Sequence, residues 1–122
     1  MRLIFATGNK GKMNEIREIM SDSVPVLSMA EAGVSTDVEE DGNSFMENSF
    51  IKARAVARTC KEKGIDDAIV LADDSGLVVD ALNGEPGIYS ARYLGEDTPY
   101  SIKNAKIIER LNGVSDEDRT AR

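Results

Sequence analysis

Thr7-Gly8-Asn9-Lys10-Gly11-Lys12 sets a hydroxyl, a carboxamide and two ammonium groups side by side. The stretch leaves a short apolar run and enters a segment of helical periodicity. Backbone N–H groups at a helix start attract phosphate oxygens, and glycines let the backbone come close. Thr7 and Asn9 can donate hydrogen bonds, and Lys10 and Lys12 supply positive charge. The spacing is too short for a Walker A loop. The same residues also make an ordinary Gly-Asn turn with two solvated lysines, and spacing alone leaves both readings open.

Asp73-Asp74-Ser75-Gly76 follows the unbroken apolar run Ala68 to Ala72. In α/β proteins ligands bind in the crevice beyond the carboxyl ends of the strands. Adjacent carboxylates there repel one another unless a cation or donors compensate. Successive strand residues point to opposite faces, so only one of the two need face a cleft. An Asx turn with both acids solvated is the plainer alternative. Glu39-Glu40-Asp41 precedes a long helical pattern, where the helix dipole alone favours carboxylates. Lys52 sits on or beside the apolar face of that pattern. It can snorkel to water or reach a phosphate held by the first loop.

Composition narrows what these groups can do. The chain has 122 residues, 15 Lys+Arg against 22 Asp+Glu, a net charge of −7, no histidine and one cysteine. Ser-His-Asp and Cys-His catalysis and imidazole metal ligation are excluded, as are an internal disulfide and a Cys-rich zinc site. The acidic balance argues against broad binding to nucleic acid. A metal here should be hard, such as Mg²⁺ or Mn²⁺, held by carboxylates and water. Charge repulsion is screened within about 8 Å at physiological salt, so local lysines and a metal can still hold a polyphosphate. Apolar runs are far shorter than a membrane span, and the first residues carry no signal-peptide pattern, so no membrane partner and a cytoplasmic location are expected.

The elements that must position these residues read as β-α-β-(short α)-α-β-β-α within one domain, residues 1–122. Arg2 to Thr7 is read as a buried strand, followed by a helix with Met13, Ile16, Ile19 and Met20 on one face. Val24 to Leu27 reads as an edge strand. Ser28-Met29-Ala30-Glu31 and Ser44-Phe45-Met46-Glu47 have the form of capping boxes. The second opens a helix to about Lys63, with Gly64 as its stop. Ala68 to Ala72 is expected as a central strand, and Leu77 to Leu82 as another that pairs back. Thr98-Pro99 should open the last helix, with Ile102, Ala105, Ile108 and Leu111 buried. The order predicts an α/β layered fold, a twisted sheet flanked by helices.

Three blocks together resemble one family. Thr7-Gly8-Asn9-Lys10-Gly11-Lys12 resembles the T-G-N-x-x-K opening of the inosine triphosphate pyrophosphatase family. Ala72-Asp73-Asp74-Ser75-Gly76-Leu77 with Val79-Asp80-Ala81-Leu82 resembles its A-D-D-S-G-L-x-V-D-x-L block, and Gly84 to Tyr93 its G-x-P-G-x-x-S-A-R-Y block. Glu40, Asn48 and Lys52 fit the stretch between. The resemblance implies a fold with a long mixed sheet, two lobes and a cleft. It implies an enzyme that takes ITP, dITP and XTP to monophosphate and pyrophosphate with Mg²⁺, and usually a homodimer. By carry-over, Thr7, Gly8, Asn9, Lys10, Gly11 and Lys12 grip the triphosphate. Glu40 and Asp74 hold metal, and Asp74 is the base for the attacking water. Ser75 touches substrate, Lys52 neutralises phosphate, and Asp73 is a weaker candidate for a supporting metal contact.

The family pattern continues beyond a segment like Arg119 to Arg122 into F-G-Y-D-P and S-H-R motifs that recognise the purine base, and this sequence contains neither. The expectation is a chain that keeps phosphate and metal residues but has little purine selectivity. Its exposed sheet edge should favour a homodimer or other self-association. A catalytically inactive fragment or assembly module, or a general polyphosphate-binding module, are the alternatives.

Overall fold

The computed structural model describes residues 1–122. The chain resolves into two compact units, Met1–Asp74 and Ser75–Arg122.

The first unit is built on a three-stranded parallel sheet in the order β2-β1-β3. The strands are β1 (Arg2–Phe5), β2 (Val26–Ser28) and β3 (Ala68–Leu71). Leu3 stands opposite Val26 on one side and Ile69 on the other. Three helices accompany the sheet: α1 (Lys10–Met20), α2 (Met29–Ala32) and α3 (Phe45–Glu62). Ile4, Ala6, Val34, Val56 and Cys60 form the core, with Ala68 and Val70 of β3 packed against it.

Local sequence accounts for the helix boundaries. Ser28 caps α2 in a full capping box with Glu31, and Gly33 closes it in the left-handed region at φ 70°. The backbone N–H and hydroxyl of Ser28, then Arg17, hold the Glu31 carboxyl below its ordinary range. Ser44 caps α3 by accepting from the Glu47 N–H, while Glu47 Oε2 accepts from Asn43 N rather than from the cap residue. Helix α3 ends at Glu62, followed by Gly64 at φ 74°, as its sequence predicts.

The second unit holds α4 (Tyr100–Arg110) and a small core of Val79, Leu82, Ile107 and Leu111. Two isolated antiparallel bridges, Val78 with Pro86 and Val79 with Ala121, are the antiparallel pairings present.

The α/β class stands, with several local corrections. β1, not β3, is the central strand. Ala68 and Val70 face the core, while Ile69 and Leu71 point outward, 50% and 38% exposed. The expected strand over Leu77 to Leu82 is instead an extended piece and a 3-10 turn, Asp80–Leu82. The turn is enforced by Asn83 and Gly84, both at positive φ. The sheet is therefore parallel, without the antiparallel strands of a mixed sheet. Thr98 does not cap α4; its hydroxyl donates to Leu94 O, and Pro99 takes the cap position. The buried face of α4 is Lys103, Ile107 and Leu111, while Ile102 and Ile108 are exposed. Steps of three drift around a helix with 3.6 residues per turn, whereas steps of four keep one stripe against Val79 and Leu82. Lys103 joins that stripe because its ammonium donates to Ala91 O at 2.7 Å and lies 4.9 Å from the Tyr100 ring. On α1 only Met13 of the expected face is buried, and Ile19 is exposed.

Candidate functional site

The loop after β1 is shaped by its own side chains. Thr7 is buried, and its Oγ1 accepts from Asn9 N at 3.1 Å. Asn9 is the N-cap of α1, and its Oδ1 accepts from Lys12 N at 3.1 Å. In this arrangement both side-chain oxygens serve the backbone, which leaves the Thr7 hydroxyl hydrogen and the Asn9 amide group as the donors. A Cβ at Gly8 would meet no atom within 4 Å, so the space over the loop is open. Gly11 is tighter, its hypothetical Cβ 3.1 Å from Asn9 Oδ1. Thr7 to Lys10 line a pocket of about 290 Å³ with Met13, Ser28 and Ser35. Lys10 is exposed at the helix start.

A second set of groups gathers where β3 ends. Lys12 Nζ lies 2.9 Å from Asp73 Oδ2. Lys52 Nζ, from α3, donates to the backbone carbonyl of Asp73 at 3.0 Å. The same ammonium lies 3.1 Å from Glu40 Oε1. Two lysines from two helices thus converge on Asp73, and Glu40 joins the Asp73-Asp74 turn through Lys52. The first unit contains all of these residues. Ser75, exposed, begins the second.

Asp73 Oδ1 and Asp74 Oδ2 are buried without a hydrogen-bond partner. Each such oxygen costs about 1–3 kcal/mol when left unpaired. Hard oxygen donors in this state suit a small divalent cation. No group of three or more His, Cys, Asp or Glu gathers as a ready-made metal cage. So small a donor set suits a hard divalent cation that completes its shell with water and phosphate oxygens.

The sequence reading sets the lysine loop and the Asp73-Asp74 turn around one polyphosphate without pairing any two of their residues; the contact that joins them is Lys12 to Asp73. Asp73, to which the resemblance gives a supporting metal contact, is the residue both lysines reach. The sequence reading gives no role to Asn48, which is 1% exposed and accepts from Gly42 N through Oδ1 at 2.8 Å. The available signal was its place four residues before Lys52 on one helix.

A family model described as the Ham1 family matches residues 3–122. The dITP/XTP pyrophosphatase of Clostridium perfringens is 51% identical over 121 residues, covering 98% of this chain and 59% of the relative. That of Bacillus subtilis is 43% identical over 120 residues, covering 98% of this chain and 58% of the relative. Among solved structures, the Staphylococcus aureus Ham1 protein aligns with a TM-score of 0.81 at 38% identity, over 99% of this chain and 58% of that one. A HAM1 protein from Coxiella burnetii aligns with a TM-score of 0.83 at 35% identity, over the same shares. The chain spans less than two thirds of the length of these relatives.

Proposed function

We propose, for a chain that belongs to the Ham1 family, a role in nucleoside triphosphate pyrophosphohydrolysis: non-standard purine triphosphates (ITP, dITP, XTP) to monophosphate and pyrophosphate. Relatives named dITP/XTP pyrophosphatase support the substrate class. The observation that carries the reading is the convergence of Lys12 and Lys52 on Asp73, with Glu40 on the same ammonium.

In this reading the Thr7–Lys12 loop binds the triphosphate. Its backbone N–H groups and lysines match phosphate oxygens in charge and geometry. Lys52 turns from Glu40 toward phosphate when substrate is bound. Glu40 and Asp74 would hold Mg²⁺, with Asp73 in support. The metal's contribution is to polarise a phosphoryl oxygen and lower the pKa of water. Asp74 orients the attacking water and accepts its proton, and Ser75 contacts substrate. Phosphoryl chemistry of this kind rests on positioning and charge neutralisation, so a chain without histidine is equipped for it.

The wider setting belongs to the same proposal. Homodimerisation is supported by the outward apolar residues Met46, Phe50, Ile69 and Leu71. No helix is long and apolar enough to cross a membrane. A cytoplasmic location is part of the proposal, and the net charge of −7 disfavours nucleic acid as a ligand.

Pyrophosphate release from ITP with Mg²⁺, in the protein and in Asp74→Asn, tests the reading. Release that falls at least a hundredfold in the variant is the expected result. Polyphosphate binding with no release in either protein would favour a binding module instead.

A further inference from the structure

The acidic loop meets α3 at several points, and the most buried of them lies just before the helix begins. Asn48 lies in the second turn of α3 and is almost wholly buried, 1% exposed, among the largest fully buried side chains of the chain. The others in that group are Ile4, Val34 and Val56. A carboxamide in such surroundings is costly unless its polar atoms are used. Its Oδ1 accepts the Gly42 N–H at 2.8 Å. The approach is close: a Cβ on Gly42 would lie 2.8 Å from that same Oδ1 and 2.8 Å from the Glu47 Cβ. Only glycine fits there. Next in the chain, Asn43 N donates to Glu47 Oε2 at 2.6 Å and Ser44 caps the helix.

Glu40 lies two residues before this clasp, and Lys52 lies four residues after Asn48, one turn further along the same helical face. The point that holds Gly42 and the ammonium that receives Glu40 are therefore carried by one rigid element. We infer that Asn48 and Gly42 form a positioning pair that sets the Glu40 carboxylate on Lys52, and so fixes Glu40 for its role at the site. The inference rests on the reading of Glu40 as a ligand-facing carboxylate. Its geometric half, that the clasp places Glu40 on Lys52, stands apart from that reading.

The test reads the Glu40–Lys52 pair directly, without metal or nucleotide. Hydrogen exchange of the Lys52 ammonium is measured by ¹⁵N NMR in the full chain, with circular dichroism to establish folding. The variants are Glu40→Gln, Asn48→Ala, Gly42→Ala and the double variant Glu40→Gln/Asn48→Ala. Glu40→Gln sets the rate for an ammonium that has lost its carboxylate partner and keeps its bond to Asp73 O. Asn48→Ala and Gly42→Ala should each raise exchange at least threefold toward that rate. Asn48→Ala should add nothing once Glu40 is already gone, a pattern that a merely structural role would not produce. Unchanged exchange in a folded Asn48→Ala overturns the inference, as does an equal rise in the Glu40→Gln background. If Asn48→Ala does not fold, Gly42→Ala decides: a folded protein with unchanged exchange overturns it. Affinity for Mn²⁺ alone is then measured on the same proteins. Should exchange respond while Mn²⁺ affinity ignores Glu40→Gln, the clasp stands and the metal role of Glu40 fails.

Discussion

Replacing Lys52 with methionine should move metal and polyphosphate affinity in opposite directions. The ammonium lies 3.1 Å from Glu40 Oε1, with side chains 19% and 28% exposed, and 3.0 Å from Asp73 O. A hydrogen bond to a charged group contributes about 1.5–3 kcal/mol. Partial exposure and the ordering of a long side chain draw the net value to the low end. A divalent cation that takes Glu40 must first displace the ammonium. Removing it should therefore strengthen binding of the metal alone by about tenfold, the equivalent of about 1.4 kcal/mol. The same substitution takes a positive charge from the polyphosphate and should weaken tripolyphosphate binding in metal-free buffer by a similar factor. Electron paramagnetic resonance of free Mn²⁺, in the absence of phosphate, gives the first number and calorimetry the second. Lys10→Met, which removes an exposed lysine from the same loop, gauges the general effect of lost charge. Mn²⁺ affinity that falls or stays level in Lys52→Met refutes the competition, and so does a rise no larger than that in Lys10→Met.

Other consequences concern the scaffold. Glu31 is held below its ordinary range by Ser28 and Arg17. A depressed carboxyl stabilises the fold fully above its unfolded value and loses that contribution as pH falls through its folded value. Glu31→Gln should therefore flatten the acid limb of the Tm–pH curve, and an unaltered limb would contradict the assignment. Val56 is wholly buried. Val56→Ala should cost about 2 kcal/mol in urea unfolding, from two lost methyl groups and the cavity they leave.

Elements fixed by local chemistry were legible from sequence. Ser28 and Ser44 announce their helices because a cap hydroxyl needs only the backbone within the next turn. Gly64 ends α3 for the same local reason, a left-handed residue after the last turn. Elements decided by what lies across space were not. An all-apolar Ala68 to Leu71 reads as central, but its neighbours decide that, and β1 holds the middle. The stripe on α4 was ambiguous because apolar residues occupy two sides of that helix, and packing against Val79 and Leu82 selects one. The candidate site followed the same division. Phosphate-type and carboxylate-type residues could be named from type and spacing. Their pairing could not, because Lys12 and Asp73 are joined through the register of two adjacent parallel strands.

At the carboxyl end of β3, two ammonium groups answer two carboxylates at contact distance, in a chain whose net charge is −7. With the Asp74 carboxylate beside them, such pairs project no positive field to draw anions in. Long-range steering, which speeds anions toward basic clefts and fades as ionic strength rises, has little to act on here. A polyphosphate arriving with its counter-ion would meet selection only at close quarters, by exchange of partners already in place. With the net charge of −7 repelling it, its arrival should quicken as salt screens that repulsion, and discrimination among anions would rest on fit.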